Sequence, residues 1–273
     1  MARSPDSPVG VFDSGLGGLS VLRHARAQLP EEDFIYIADS GFAPYGERSA
    51  DWIRARSLAL AGHLLDRGAK ALLVACNTAT AAAAPALRER WPRVPVIAME
   101  PAVKPAVAAT RCGTVGVLAT TGTLASSRFA ALLDTFGRDI RVVTRSGSGL
   151  VEAVERGDFA SDATRSLVRS HVRPLIDAGA DVIVLGCTHY PFLRPLIQQE
   201  AGPGVSVIDT GLAVSRQLQR RLDEAGLRRH GPAGTEHFLT SARPEHALPA
   251  LRALWHAAAD LSALSLEDCD RAS

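Results

Sequence analysis

Two stretches decide the fold: Ala71-Leu72-Leu73-Val74-Ala75-Cys76-Asn77-Thr78 and Val182-Ile183-Val184-Leu185-Gly186-Cys187-Thr188-His189. Each is an apolar run of strand length that ends on a cysteine and passes straight into polar residues. An apolar run without polar alternation is what a strand covered on both faces requires, and such strands belong to parallel sheets. The polar residues that follow would open the next helix.

Similar runs recur along the chain. Strands are expected at Val9–Asp13, Phe34–Asp39, Ala71–Cys76, Val94–Met99, Thr114–Thr120, Ile140–Thr144, Asp181–Cys187, Val205–Asp209 and His237–Thr240. Between them lie helical patterns at Gly18–Leu29, Ala50–Arg67, Thr78–Arg90, Thr123–Phe136, Ser161–Ala178, Pro191–Glu200, Leu212–Glu224 and Glu245–Ala258. Alternating strand and helix predicts an α/β fold with mainly parallel sheets.

The chain also carries a faint internal repeat. Val9-Gly10-Val11-Phe12-Asp13-Ser14 resembles Val115-Gly116-Val117-Leu118-Ala119-Thr120 at an offset of 106 positions, and the cysteine settings repeat at 111. Two such close offsets fit a duplicated half with one loop changed, although chance likeness between buried strands gives the same pattern. Duplication implies two similar, pseudo-twofold related lobes with a small-molecule site in the cleft between them. The crossover is expected near Pro101–Pro105. The first lobe is then 8–103 plus a returning 211–262, and the second is 104–210. Residues 1–7 and 263–273 are expected to be flexible tails.

Composition narrows the function. The chain has 273 residues, is 47% hydrophobic and has a formal net charge of +1 from 30 basic and 29 acidic side chains. That balance gives no support for nucleic acid or a membrane surface as ligand. Only Lys70 and Lys104 are available to a cofactor that needs a lysine. No apolar stretch reaches the roughly 18 residues of a membrane helix, and Met1–Pro8 lacks the apolar centre of a signal peptide. Cys76, Cys112, Cys187 and Cys269 are scattered, without a CxxC pair. A disulfide framework or a structural zinc site is therefore not expected, and the implied compartment is a reducing cytoplasm.

Ligands of open parallel sheets bind beyond the carboxyl ends of the strands, where both Cys76 and Cys187 fall. A helix N-terminus there attracts a carboxylate and lowers a thiol pKa. A lone buried cysteine is ordinarily core filler; two in one setting also read as a pair acting on a substrate from opposite sides. Asp13, in Asp13-Ser14-Gly15-Leu16-Gly17-Gly18, is either a helix-capping residue with a tight turn or an acid/base beside the first thiol. The glycines would let backbone approach a ligand closely; a phosphate loop is a weaker reading, since no GxxxxGK[ST] is present. His189 is a base for Cys187, a metal ligand or a solvated helix-start residue. Ala43-Pro44-Tyr45-Gly46-Glu47-Arg48 is a turn at the same end of the sheet.

Taken together, these residues resemble the glutamate racemases of the cofactor-independent aspartate/glutamate racemase superfamily. The motifs are Asp13-Ser14-Gly15-Leu16-Gly17-Gly18-Leu19-Ser20-Val21-Leu22, Pro44-Tyr45-Gly46-Glu47-Arg48-Ser49, Ala75-Cys76-Asn77-Thr78-Ala79, Glu100-Pro101-Ala102-Val103-Lys104-Pro105-Ala106 and Leu185-Gly186-Cys187-Thr188-His189-Tyr190-Pro191. The resemblance implies that Cys76 and Cys187 are catalytic acid/bases, that Asp13 and His189 assist them, and that Glu152 is a further acid near the second thiol. It implies substrate contacts from Asp13, Ser14, Pro44, Tyr45, Gly46, Asn77, Thr78, Thr120, Thr188 and His189. It also implies glutamate as substrate, no cofactor or metal, a cytoplasmic homodimer, and D-glutamate as a product for peptidoglycan. One stretch departs from the family. Many members carry a Cys-Pro step before the position of Glu152, where this chain reads Arg145-Ser146-Gly147-Ser148-Gly149-Leu150.

Overall fold

The computed structural model describes residues 4–256 and 258–264. Its strands are β1 (Val9–Asp13), β2 (Phe34–Ala38), β3 (Ala71–Val74), β4 (Val96–Ala98), β5 (Thr114–Ala119), β6 (Arg141–Ser146), β7 (Val182–Gly186), β8 (Ser206–Ile208), β9 (Glu236–Thr240) and β10 (Leu261–Ala263). The helices are α1 (Leu19–Gln28), α2 (Ala50–Asp66), α3 (Asn77–Arg90), α4 (Val103–Ala109), α5 (Thr121–Leu124), α6 (Ser127–Phe136), α7 (Leu150–Glu155), α8 (Asp162–Asp177), α9 (Arg194–Ala201), α10 (Gly211–Glu224) and α11 (Pro244–Leu254).

The strands form two sheets, β10-β9-β2-β1-β3-β4 and β6-β5-β7-β8, and every pairing is parallel. β1, β2, β3 and β7 are buried along their whole length, as their unbroken apolar sequences require. β9 pairs with β2, so the C-terminal segment returns to the first sheet.

The internal repeat is visible in the sheet register. The order β2-β1-β3-β4 recurs as β6-β5-β7-β8. Val9 pairs with Ala71 in the first lobe and Val115 with Val182 in the second, and each cysteine lies the same number of residues beyond the latter partner. One apolar core runs through both lobes, joining Leu16 and Tyr36 to Leu150, Leu185 and Tyr190.

Several expectations shift. Thr123–Phe136 divides into α5 and α6, each capped by a side-chain hydroxyl, Thr120 on Thr123 N–H and Ser126 on Phe129 N–H. The short α4, α7 and β10 lie below the length at which periodicity separates them from loop. The helix expected to end at Ala258 stops at Leu254. Within residues 4–7, part of the expected N-terminal tail, the Pro5 carbonyl accepts from Lys70 Nζ and Ser7 N–H donates to Ser4 O at 3.0 Å. Ala263 belongs to β10, and Leu264 N–H donates to Thr240 O at 2.6 Å; residues 1–3 and 265–273, the rest of the expected tails, lie outside the described residues, as does Cys269.

Beneath the first lobe, Lys70 Nζ meets Glu32 Oε2 at 2.5 Å, with both side chains essentially inaccessible. Burial holds the Lys70 pKa below its usual value, with Glu32 opposing. Lys70→Met would leave the Glu32 carboxylate buried without its cation. It is expected to destabilise the protein by roughly 3–5 kcal/mol, measured by urea denaturation.

Candidate active site

Cys76 is the N-cap of α3, and its sulfur accepts from Ala79 N–H at 3.4 Å. Cys187 leads instead into a single 3-10 turn, Tyr190–Leu193, before α9 begins. The helix start expected there is thus delayed, and the partner of the Cys187 sulfur is His189 Nδ1 at 3.7 Å. Both thiols line one narrow pocket between the lobes. Ser14, Pro44, Tyr45, Gly46, Asn77, Thr78, Thr120, Thr188 and His189 share its lining. All ten residues expected to contact substrate are therefore gathered here except Asp13, which lies buried directly behind Ser14. Val151, not anticipated from the sequence, is also part of the wall.

Asp13, at the end of β1, has no exposure. Its carboxylate accepts from Ser14 N–H at 2.7 Å, Gly18 N–H at 2.5 Å and Thr188 Oγ1 at 3.1 Å. Burial nevertheless raises its pKa, with His189 and the hydrogen bonds opposing. Burial also pushes the Cys76 thiol well above its ordinary value, and the neighbouring Asp13 charge adds to it. A lowered thiol pKa was expected from the helix start. The Ala79 N–H does act in that direction, but desolvation and the aspartate outweigh it.

The second assistant is built differently. His189 Nε2 lies 2.7 Å from Glu155 Oε1 and 3.2 Å from Gly17 N–H, and Nδ1 faces the Cys187 sulfur. Burial works against the imidazolium, yet the contacts with Cys187 and Glu155, together with Asp13, raise its pKa well above the usual value. Glu155 in turn accepts from Leu16 N–H at 2.6 Å and Ser40 Oγ at 2.8 Å, both in the first lobe. The acid serving His189 is therefore Glu155 and not Glu152. Glu152 lies one turn earlier on α7, among the residues of an adjoining outer pocket with Ser146, Gly147 and Tyr190. Two glutamates three residues apart share a side of a helix, and sequence alone did not show which turn reaches the histidine.

The need for glycine between Asp13 and α1 is now plain. A Cβ on Gly15 would collide with Glu155 Oε1, and one on Gly17 with His189 Nδ1. The glycines therefore do bring backbone close to another group, but that group is side chains of the facing lobe. Further bridges close the seam: Thr78 Oγ1 lies 2.8 Å from Thr120 Oγ1, and Ser20 Oγ donates to Thr188 O at 2.7 Å. The pseudo-symmetry breaks at the assistants. The register places Ala119 of β5 where β1 has Asp13, so no carboxylate comes from that strand end in the second lobe, and His189 supplies the polar partner from beyond the cysteine.

Among the described residues, no group of three or more His, Cys, Asp or Glu is arranged to hold a metal ion, and no helix is long and apolar enough to cross a membrane.

The site is thus a pocket between the lobes with a thiol from each, and each thiol has its own polar neighbours. The chain belongs to the Asp/Glu/hydantoin racemase family, whose model matches residues 19–218; it is an amino-acid racemase, an isomerase. It is 54% identical to the glutamate racemase of Pseudomonas putida over 95% of this chain and 98% of that one. Among solved structures, it is similar to Escherichia coli glutamate racemase in complex with L-glutamate and the activator UDP-MurNAc-Ala. That likeness has a TM-score of 0.84 and 32% identity, covering 95% of this chain and 98% of that one. It is also similar to Francisella tularensis glutamate racemase in complex with D-glutamate, with a TM-score of 0.83 and 28% identity, covering 96% and 99%.

Proposed function

We propose that this racemase interconverts L- and D-glutamate by a two-base proton transfer between Cys76 and Cys187. The observation that carries the reading is that the two thiols, one from each lobe, line a single pocket. One sulfur takes the α-proton, the carbon flattens, and the other returns a proton to the opposite face. Relatives bound to L-glutamate and to D-glutamate support this choice of substrate.

The site residues have matching tasks. Cys76, whose burial favours the thiol form, delivers a proton in one direction and takes the α-proton in the other. The buried Asp13 beside it offers negative charge to the substrate ammonium, which in turn offsets the burial of both groups. Cys187 exchanges its proton beside a cationic His189 that Glu155 holds in orientation. The buried Asn77 Oδ1 has no protein hydrogen-bond partner and is an acceptor for a substrate N–H. The Thr78 and Thr120 hydroxyls and Ser14 are donors for carboxylate oxygens. Positioned proton transfer contributes about 10²–10⁴-fold. The rest of the rate must come from stabilising charge on the substrate carboxylate in a site that excludes water. The product D-glutamate would serve peptidoglycan synthesis in the cytoplasm, with the protein acting as a homodimer.

Circular dichroism of the purified protein with L-glutamate, D-glutamate, L-aspartate and D-aspartate, without added cofactor, tests the reading. The optical signal of either glutamate enantiomer is expected to decay to zero, with aspartate slower. A stable glutamate signal, or faster decay with aspartate, rejects it.

A further inference from the structure

The turn Pro44–Tyr45–Gly46 forms one wall of the pocket and also borders the outer pocket next to it. Its outer side rests on a buried polar group that the chemistry does not use. The Tyr45 hydroxyl donates to Asp39 Oδ2. Arg56, from α2, grips the same carboxylate with both arms of its guanidinium, Nε to Oδ2 at 2.9 Å and Nη2 to Oδ1 at 2.7 Å. Asp39 has no exposure, Tyr45 has 1% and Arg56 has 8%.

The surroundings lock this group in place. The Arg56 guanidinium lies 4.1 Å over the Phe42 ring, and the Tyr45 ring meets Trp52 edge-on at 5.4 Å. Asp39 N–H donates to Asp13 O at 3.0 Å, which ties the ion pair to the strand end that carries the first assistant. On its inner side the turn abuts the second lobe. A Cβ on Gly46 would come within 3.1 Å of Thr120 Cβ, and one on Gly122 within 3.2 Å of Gly46 O.

We propose that Asp39 and Arg56 are positioning residues for the racemase reaction. Acting through the Tyr45 hydroxyl, they hold the Pro44–Tyr45–Gly46 wall in its substrate-receiving conformation before substrate arrives. The inference rests on the glutamate reading above. It assigns the ion pair a task in substrate affinity rather than in proton transfer, because neither residue lines the pocket and the Cys76 and Cys187 partners lie elsewhere. If the turn were in place for only a tenth of the time, apparent affinity would fall about tenfold, while bound substrate would still meet an intact pair of thiols.

The test compares wild type with Tyr45→Phe, Arg56→Lys, Asp39→Asn and the Asp39→Asn/Tyr45→Phe double variant, measuring KM, kcat and Tm. Tyr45→Phe keeps the ring packing and the ion pair but alters a residue of the pocket wall itself, so Arg56→Lys, which leaves the wall residues unchanged, carries the test if Asp39→Asn does not fold. Arg56→Lys is expected to raise the KM for glutamate about tenfold with kcat within about threefold, and Tyr45→Phe to raise KM at least as much. Where Asp39→Asn folds, the double variant is expected to match it, since both changes break one chain of contacts. An unchanged KM with a lowered Tm would make the group merely structural and overturn the inference, as would additive effects in the double variant. Wild-type protein that does not racemise glutamate would reject the glutamate reading itself, and that result is distinct from the others.

Discussion

Cys76→Ala and Cys187→Ala are each expected to lower glutamate racemisation by at least about 10²–10⁴-fold, the contribution of a positioned proton-transfer group. Both sulfurs are buried and each substitution removes one atom from a packed strand end, so the fold should persist and the loss should lie in turnover. Inversion needs a group on each face of the α-carbon. With one thiol gone, the remaining one can still remove and return a proton on its own face. Each variant is therefore expected to wash solvent deuterium into the α-position of one enantiomer without inverting it, the enantiomer differing between the two variants. Proton NMR in D₂O follows the exchange, and circular dichroism follows the inversion. Racemisation near the wild-type rate in either variant would eliminate the two-thiol mechanism. A covalent adduct on the surviving sulfur, seen by mass spectrometry, would place the chain among thiol-nucleophile members of the superfamily instead.

The second large effect separates two glutamates on one short helix. Glu155→Gln is expected to lower kcat about 10²-fold or more, while Glu152→Gln stays within about threefold. Carboxylates that fix an imidazole's tautomer and support its cation carry effects of this order or larger. A glutamine in place of Glu155 would keep the size of the side chain, but would offer His189 a neutral acceptor or an amide instead of a charge. Because Glu155 is among the groups that raise the His189 pKa, removing its charge must lower that pKa. The limb of the pH–rate profile that reports loss of the His189 proton is then expected to move to lower pH. Equal losses in the two variants, or a limb that does not move, would remove Glu155 from the assistant role.

The fold was legible because its central strands, β1, β2, β3 and β7, are buried on both faces. Ala71–Val74 and Val182–Gly186 announce themselves by lacking polar alternation, and the matching of Val9 with Val115 survives in the register of the sheets. The two thiols were legible for the same reason, since each sits where a long apolar run stops. What did not show was anything settled by a single helical turn or by contact across the lobes. Nothing in Gly149-Leu150-Val151-Glu152-Ala153-Val154-Glu155 says which carboxylate crosses to Leu16 and Ser40. Helix α7 is six residues long and opens on Gly149 at φ 84°, so it has too few turns for periodicity to mark its faces. The direction of the Cys76 shift was missed as well. A sequence shows the helix start that lowers a thiol pKa, but not the depth of burial or the neighbouring Asp13, which together raise it further.

The break in pseudo-symmetry, with a carboxylate behind one thiol and an imidazole beside the other, meets a constraint from outside the protein. L- and D-glutamate are mirror images with equal free energy in water, so their equilibrium constant is one. By detailed balance, kcat/KM must then be identical in the two directions, for the wild type and for every variant, however unlike Asp13 and His189 are. Damage to either assistant cannot favour one enantiomer in that ratio. The inequality of the lobes can surface only in how each direction divides the same kcat/KM between turnover and saturation. The mirror symmetry that the duplicated chain has lost is thus reimposed on its kinetics by the substrate.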